Sequence, residues 1–177
     1  MSTSDPGPEP VPQPGDGLYG ELLWVHGALR ADLAKVRELA DAAGDGAPAA
    51  TIAAGIGELR ANGPLWQLKM GCLAHCRFVH QHHRLEDIAL FPALRRANPE
   101  LQPVLEKLIA DHRSIGGRVE AVEAAAAALG DGGDEEAASG ARERVAAELE
   151  ALGSELLEHL SYEEAKIAAT MRTMTSI

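Results

Sequence analysis

The chain has 177 residues, a net charge of −11, and 46% hydrophobic but only 3% aromatic residues. This length suits one domain with a core large enough to fold without disulfides, and the acidity argues against nucleic acid or an anionic membrane as partner. No apolar run reaches the roughly 20 residues of a bilayer span, and the N-terminus lacks the apolar segment of a signal peptide, so a cytoplasmic protein is expected. Composition does not explain the seven histidines.

The chain is predicted to begin with a leader and a long helix. Residues 1–17 contain five prolines and are predicted to be a disordered leader. Apolar residues then recur at three- and four-residue steps, which predicts a helix over residues 18–43 that ends in a stretch rich in glycine and proline. A loop follows, with a short helix predicted over residues 51–60.

Three further helices complete the predicted fold. The second covers residues 65–91, and Pro92 is expected to kink or end it. The third starts after Asn98, a suitable N-cap whose following proline suits a first turn, and ends at the glycines of residues 130–133. The fourth covers residues 134–170, and no strand pattern is present. Four amphipathic helices predict an all-α protein, an up-down-up-down four-helix bundle.

Each predicted apolar stripe contains a histidine where Leu or Val would be expected. Two stripes also carry a glutamate four residues later, about one turn, so each pair projects from one helix face. A single core histidine is usually hydrogen-bonded, but four inward histidines with two carboxylates are costly in an apolar core unless they bind a metal. The pattern therefore predicts a metal centre in the bundle core, formed by His26, His82, Glu86, His112, His159 and Glu163.

The donor types narrow the choice of metal. Imidazole and carboxylate without thiolate suit iron, manganese or zinc. Six ligands are too many for one tetrahedral zinc ion with an open position, but they suit two ions that each hold two histidines with both glutamates between them. The rival ferritin-like dinuclear fold needs Glu-x-x-His on two helices, and no glutamate of this chain has a histidine three residues later. A dinuclear site in a different kind of bundle is predicted.

At these segments the chain resembles the hemerythrin-like, or HHE cation-binding, proteins. The resemblance covers about residues 18–170, and its most specific part is the stretch from His80 to Pro92, which reads HQHHRLEDIALFP. Val25-His26, Asp111-His112-Arg113 and the stretch HLSYEE that begins at His159 complete it. Members of this family fold as four-helix bundles. The resemblance also implies a centre of two non-haem iron ions, bridged by an oxo or hydroxo group and held by the six residues named above.

Two departures from the oxygen-carrying hemerythrins bear on function. Those carriers have a second histidine one turn after the third-helix histidine, and here that position is Gly116. The fourth helix has the spacing His-x-x-x-Glu, where the carriers use a histidine and a more distant aspartate. Fewer imidazoles would leave more coordination positions open, which favours reaction with oxygen or peroxide over reversible carriage.

Polar residues beside the stripes are candidates for supporting roles. His83 precedes Glu86 by three residues and is a further candidate ligand, although pairing with Asp87 or solvent is the favoured prediction. Tyr162 is a candidate donor to a bridging oxygen or a packing residue. Asp87 and Asp111 are candidate acceptors for the free nitrogen of ligand imidazoles.

Two other features receive structural interpretations. Cys72, His75 and Cys76 form a compact group on the second helix, but a metal site there lacks a fourth ligand, so core packing is predicted for the cysteines and a core or access-channel position for the histidine. Arg30 is predicted to be solvated surface charge.

Three functions stay open. The leading hypothesis is a di-iron protein that binds and activates O2 or reacts with peroxide, in oxidase-, catalase- or peroxidase-like chemistry. The alternative is a binding protein without turnover that senses O2, NO or redox state, or that handles iron. A third is a bundle whose metal, such as zinc, only stabilises the fold. The small-molecule partner in the first two is O2, peroxide or NO.

Overall fold

The computed structural model describes residues 17–44, 64–128 and 135–175. In this part of the chain every regular element is helical and no strand occurs. None of its helices combines the length and apolarity that a bilayer crossing requires. Three predicted features lie outside the described residues: the leader over residues 1–17, apart from Gly17, which begins the first helix, the short helix over 51–60 and the glycine-rich break over 130–133.

Four helical rods account for the described residues. In chain order their elements are α1 (Gly17–Gly44), α2 (Pro64–Leu85), a π-helical turn (Glu86–Leu90), α3 (Phe91–Ala97), a 3₁₀ turn (Pro99–Leu101), α4 (Gln102–Ala127) and α5 (Glu135–Met171). The first and last rods agree with their predicted bounds to within one residue at each end. The second rod does not.

The predicted end of the second helix near Pro92 is wrong, because the rod runs on to Ala97. Within a regular α-helix, proline lacks an N–H and its ring clashes with the carbonyl four residues earlier. Here the N–H of Phe91 donates to the carbonyl of Glu86, which widens the rod by a π turn immediately before the proline. Pro92 then lies in the first turn of α3, where no N–H is needed.

The predicted cap at Asn98 is confirmed. Its side-chain oxygen accepts a hydrogen bond of 3.1 Å from the backbone N–H of Glu100, which closes the turn between α3 and the third rod. Its side-chain nitrogen also donates to the hydroxyl of Thr170 at 3.3 Å. Asn98 therefore joins this turn to the end of α5 as well as starting the 3₁₀ turn.

Contacts between the rods establish their order and direction. α1 packs against α2 and α5, and α4 packs against the same two, so chain order is also the order around the bundle. His26 lies beside Glu164 and Arg37 beside Glu150, so residue numbers rise along α1 as they fall along α5. The same inverse order relates the other neighbouring rods. The prediction of an up-down-up-down bundle is confirmed.

A polar layer divides the core into two apolar clusters. On α1, the first cluster starts at Leu29 and the second ends at Leu23, and His26 lies between them. The other three rods show the same interruption. Because the apolar residues on both sides exclude water, the polar side chains in this layer meet one another rather than solvent.

Candidate metal centre

The polar layer brings together all six residues that the sequence predicts as ligands. Each side chain is at most 6% exposed. Every rod contributes: His26 from α1, His82 from α2, Glu86 from the π turn, His112 from α4, and His159 and Glu163 from α5. Glu86 is the first residue of the π turn, a distortion that recurs at functional sites.

The donor atoms form two groups that share one carboxylate. In each group, one donor atom per residue lies within 4.8 Å of all the others. The first group consists of His26, His82, Glu86 and Glu163. The second group consists of His83, Glu86, His112 and His159.

The two oxygens of Glu86 face different groups. Its Oε1 lies 3.3 Å from Nε2 of His82, in the first group, and its Oε2 lies 3.4 Å from Nε2 of His112, in the second. Oε2 of Glu163 also faces both, at 3.4 Å from Nε2 of His26 and 3.8 Å from Nε2 of His159. Both glutamates thus lie between the two sets of imidazoles.

His83 joins the second group, so the favoured prediction that it pairs with Asp87 or with solvent is wrong. It is 6% exposed, and its ring stacks on that of His112 with centroids 4.0 Å apart and planes 9° from parallel. The doublet His82-His83 carried the signal, because residues three and four positions before Glu86 both lie on its side of the helix. The site therefore offers five imidazoles and two carboxylates.

A carboxylate orients His26 from outside the layer. Nδ1 of His26 lies 2.7 Å from Oε1 of Glu164, which also accepts a hydrogen bond of 2.8 Å from Arg30. Burial lowers the pKa of His26, but the carboxylates of Glu163, Glu164 and Glu86 outweigh it and raise the pKa to about 10. The prediction that Arg30 is solvated surface charge is wrong. Spacing along α5 alone could not predict this role of Glu164, because its partners His26 and Arg30 lie on α1.

The predicted acceptors Asp87 and Asp111 do lie beside ligand imidazoles. Oδ1 of Asp87 accepts a hydrogen bond of 2.9 Å from Nδ1 of His112. Oδ2 of Asp111 lies 3.7 Å from Nδ1 of His159, which is too far for a hydrogen bond. The same oxygen accepts a hydrogen bond of 2.5 Å from the ammonium of Lys107. With Nδ1 facing these acids, Nε2 of His112 and His159 point inward, 3.2 Å apart. Outer carboxylates of this kind fix the tautomer of metal-binding histidines.

The donor set fits a cation, because its inner atoms lack protein partners. Among the described residues, buried polar atoms without a hydrogen bond include Nε2 of His26, His82 and His83 and both carboxylate oxygens of Glu86 and Glu163. Buried polar groups almost always have a partner, and an unpaired buried carboxylate is costly. A cation in each group would supply partners for these atoms.

Electrostatics in the layer also favour a cation. Burial and the neighbouring imidazoles lower the pKa of His82 to about 2, and burial and His159 lower that of His112 to about 3. These rings stay neutral, which is the form that binds metals. Burial and the nearby Glu163 raise the pKa of Glu86 to about 8. The closeness of the two carboxylates thus disfavours the charged form of Glu86, which further positive charge in the layer would favour.

The family comparison agrees with this geometry. Residues 18–171 match the family described as the hemerythrin HHE cation binding domain. The chain belongs to this family. Searches of curated proteins and of solved structures gave no significant match. The resemblance predicted from sequence is confirmed, and the HHE domain is a cation-binding bundle whose His and Glu groups can hold a metal.

The HHE domain obtains its fifth imidazole from an unexpected rod. A Cβ atom at Gly116, where the oxygen carriers have a histidine, would meet no atom within 4 Å. His83 on α2 instead adds an imidazole to the second group. His83 therefore offsets part of the loss of imidazoles that Gly116 implies.

Tyr162 of the HHE domain packs at the edge of the second apolar cluster. The ammonium of Lys107 lies 4.4 Å from the centre of its ring, a cation–π distance. Of the two roles predicted for Tyr162, packing is the one these contacts describe.

The cysteines of α2 are core residues of the HHE domain, as predicted. Cys72 and Cys76 are fully buried in the first apolar cluster, and burial raises the pKa of both thiols to about 12. Among the described residues neither joins a potential metal group. His75 lies beside them, 2% exposed, and neither ring nitrogen has a hydrogen-bond partner.

We expect His75 to make the metal-free domain sensitive to acid. Burial lowers its pKa despite the opposing charge of Asp32, so below about pH 6.5 the unfolded chain binds a proton that the folded chain excludes. Stability is therefore lost as the pH falls. As the pH falls, the free energy of unfolding of the variant His75→Leu should decrease less steeply than that of the wild type. The two slopes should differ by up to about 1.4 kcal/mol per pH unit.

Urea unfolding of the metal-free chain at several values between about pH 7 and pH 5 measures this slope. The control is His80→Leu, at an exposed position of the same helix, which should keep the wild-type slope. Equal slopes for His75→Leu and the wild type would contradict the prediction.

Proposed function

We propose that this HHE domain holds two iron ions and uses them in a redox reaction with O2 or peroxide. The observation that carries the proposal is Glu86, whose two oxygens face two buried groups of imidazoles. One ion would be held by His26, His82, Glu86 and Glu163. The other would be held by His83, Glu86, His112 and His159.

The number of donors supports a reactive centre over a closed structural one. Five imidazole nitrogens and four carboxylate oxygens make at most nine donor atoms. Two octahedral ions offer about twelve positions, so some stay open for a small ligand. Nitrogen and oxygen donors without thiolate suit iron, and bound iron would supply electron exchange with O2 or peroxide.

The residues around the centre orient the ligands and exclude water. Glu164 holds His26 and Asp87 holds His112, so neither ring needs to reorganise when a ligand enters. The apolar cluster beyond each side of the layer keeps bulk water out. Low-dielectric surroundings strengthen the effect of these fixed charges.

One opening suits a polar reactant. A groove of about 180 Å³ between α4 and α5 reaches His159 and is lined mainly by polar and charged side chains, among them Lys107, Asp111, Ser114 and Glu155. Asp111 stands between Lys107 and Nδ1 of His159, on the wall of this groove. Peroxide or water would reach the second ligand group by this route.

Metal analysis of the full chain, purified without added metal, tests the cofactor. Two irons per chain are expected, together with an optical spectrum that changes when peroxide is added. One zinc per chain and no iron would overturn the proposal in favour of a structural metal.

Peroxide consumption tests the chemistry. His112→Ala should abolish it, while His80→Ala, at an exposed position on α2, should retain it. Consumption that survives His112→Ala would exclude the site as its cause. Two irons without any turnover would instead favour the binding or sensing function.

A further inference from the structure

A second opening reaches the first ligand group from the opposite side of the bundle. A cleft of about 240 Å³ lies between α1 and the end of α2 with its π turn. Its base is formed by His82 and Glu86, and its mouth by the exposed Glu21 and Leu85. The groove at His159 shares none of these residues.

The walls of this cleft are apolar. Leu22 and Val25 of α1 face Ala89 and Leu90 of the π turn across it, and Met171 of α5 also contributes. Among the residues that the structure describes, no lysine, arginine or hydroxyl side chain lines it. An occupant would gain mainly from burial of apolar surface, since the walls offer little hydrogen bonding.

Charge at the mouth restricts the occupant further. Glu21 is acidic, and no basic side chain among the described lining residues offsets it. A carboxylate or phosphate would be repelled at the mouth, whereas an uncharged molecule would not. The Nε2 of His82 and both oxygens of Glu86 lack hydrogen bonds, so beyond the mouth the base is the polar point that an occupant meets among the described lining residues.

We propose that this cleft binds a small, uncharged, apolar organic molecule, about the size of one substituted ring, beside the first ligand group. An apolar cavity of about 150 Å³ is enough to hold benzene, so 240 Å³ accommodates one ring with a short substituent. As a binding site the cleft stands on its own residues. As the subsite for an organic substrate it rests on the proposed function.

Fluorobenzene, followed by 19F NMR, is the probe that tests the proposal. It should bind the full chain both without metal and after loading with iron. The same ring with an acid group, 4-fluorobenzoate, should not bind measurably to the metal-free chain. Equal binding of the two probes, or no binding of fluorobenzene, would overturn the proposal.

A variant that fills the cleft locates the binding. Ala89→Leu should weaken fluorobenzene binding at least about tenfold, because its larger side chain takes up part of the volume. The matched control is Ala121→Leu, at a similarly half-buried alanine on α4 that does not line the cleft. Undiminished binding by Ala89→Leu would contradict the proposed location.

A second measurement does not depend on either variant folding. In the metal-free wild type, magnetisation transfer should connect bound fluorobenzene with the methyl group of Ala89. Its absence from a saturated complex would overturn the location. These readouts need no iron. A metal content other than two irons would therefore refute the proposed function and leave the proposed cleft site standing. Failure of fluorobenzene to bind would refute the cleft site and leave the proposed function standing.

Discussion

Replacing Glu86 by alanine is expected to remove both ions of the proposed di-iron centre. Glu86 belongs to both ligand groups and turns one oxygen toward each, so its loss deprives both ions of a ligand. Loss of an outer hydrogen-bond partner alone costs about 10- to 100-fold in metal affinity, and loss of a shared ligand should cost about a hundredfold or more for each ion.

Iron per chain, measured after gel filtration of the full chain, tests this expectation. Glu120→Ala on α4 is the matched control, since Glu120 is exposed and belongs to neither group. It should retain the wild-type iron content. If Glu86→Ala kept one iron per chain, the two groups would not depend on a common carboxylate, and the arrangement proposed for the centre would be wrong.

Stability should depend strongly on the metal, and Glu163→Gln should reduce that dependence. Glu163 is fully buried, and both its oxygens lack hydrogen bonds in the described structure. In the wild type, a free ion at a thousand times its dissociation constant adds about 4 kcal/mol per site, or about 8–16 °C in thermal midpoint. The glutamine removes a carboxylate from the first ligand group, so the variant should gain fewer degrees from iron than the wild type. Without metal, it removes a charge that faces Glu86 and also one that pairs with the protonated His26, so the two effects oppose each other and the midpoint should move by less than about 4 °C.

Calorimetry of the full chain with iron or with chelator measures both effects. Glu158→Gln, at an exposed position of the same helix, is the control and should follow the wild type in both conditions. A Glu163→Gln variant that gains as many degrees from iron as the wild type would contradict a ligand role for Glu163. Equal midpoints with iron and chelator in the wild type would contradict metal binding in the core.

The features predicted correctly from sequence depend on spacing along one helix. Apolar residues at three- and four-residue steps identify the buried face of each rod, and a histidine or glutamate in such a stripe must lie inside the bundle. His82 and Glu86, or His159 and Glu163, need no tertiary information to be placed on one face. The side-chain cap of Asn98 is equally local, and it is confirmed.

The wrong predictions concern residues whose role depends on another rod. His83 could face solvent or the centre as judged from α2 alone, and only its stacking on His112 of α4 decides between them. Arg30 and Glu164 are more than a hundred positions apart, and they become an ion pair only when α1 packs against α5. Pro92 is a different, local case: of the two outcomes expected there, an end of the rod is wrong, because the rod continues past the proline through a π turn.

The sequence by itself determined the four amphipathic rods, the inward direction of the six polar side chains and the kind of metal that their donors suit. These properties follow from helical periodicity and from ligand chemistry, both of which are local. Only the tertiary structure decided which imidazoles share a group, that Glu86 spans both groups, and that a polar groove and an apolar cleft approach the layer from different sides. Those properties arise from packing between rods, because the distance between side chains on different helices is not encoded in the spacing along either one.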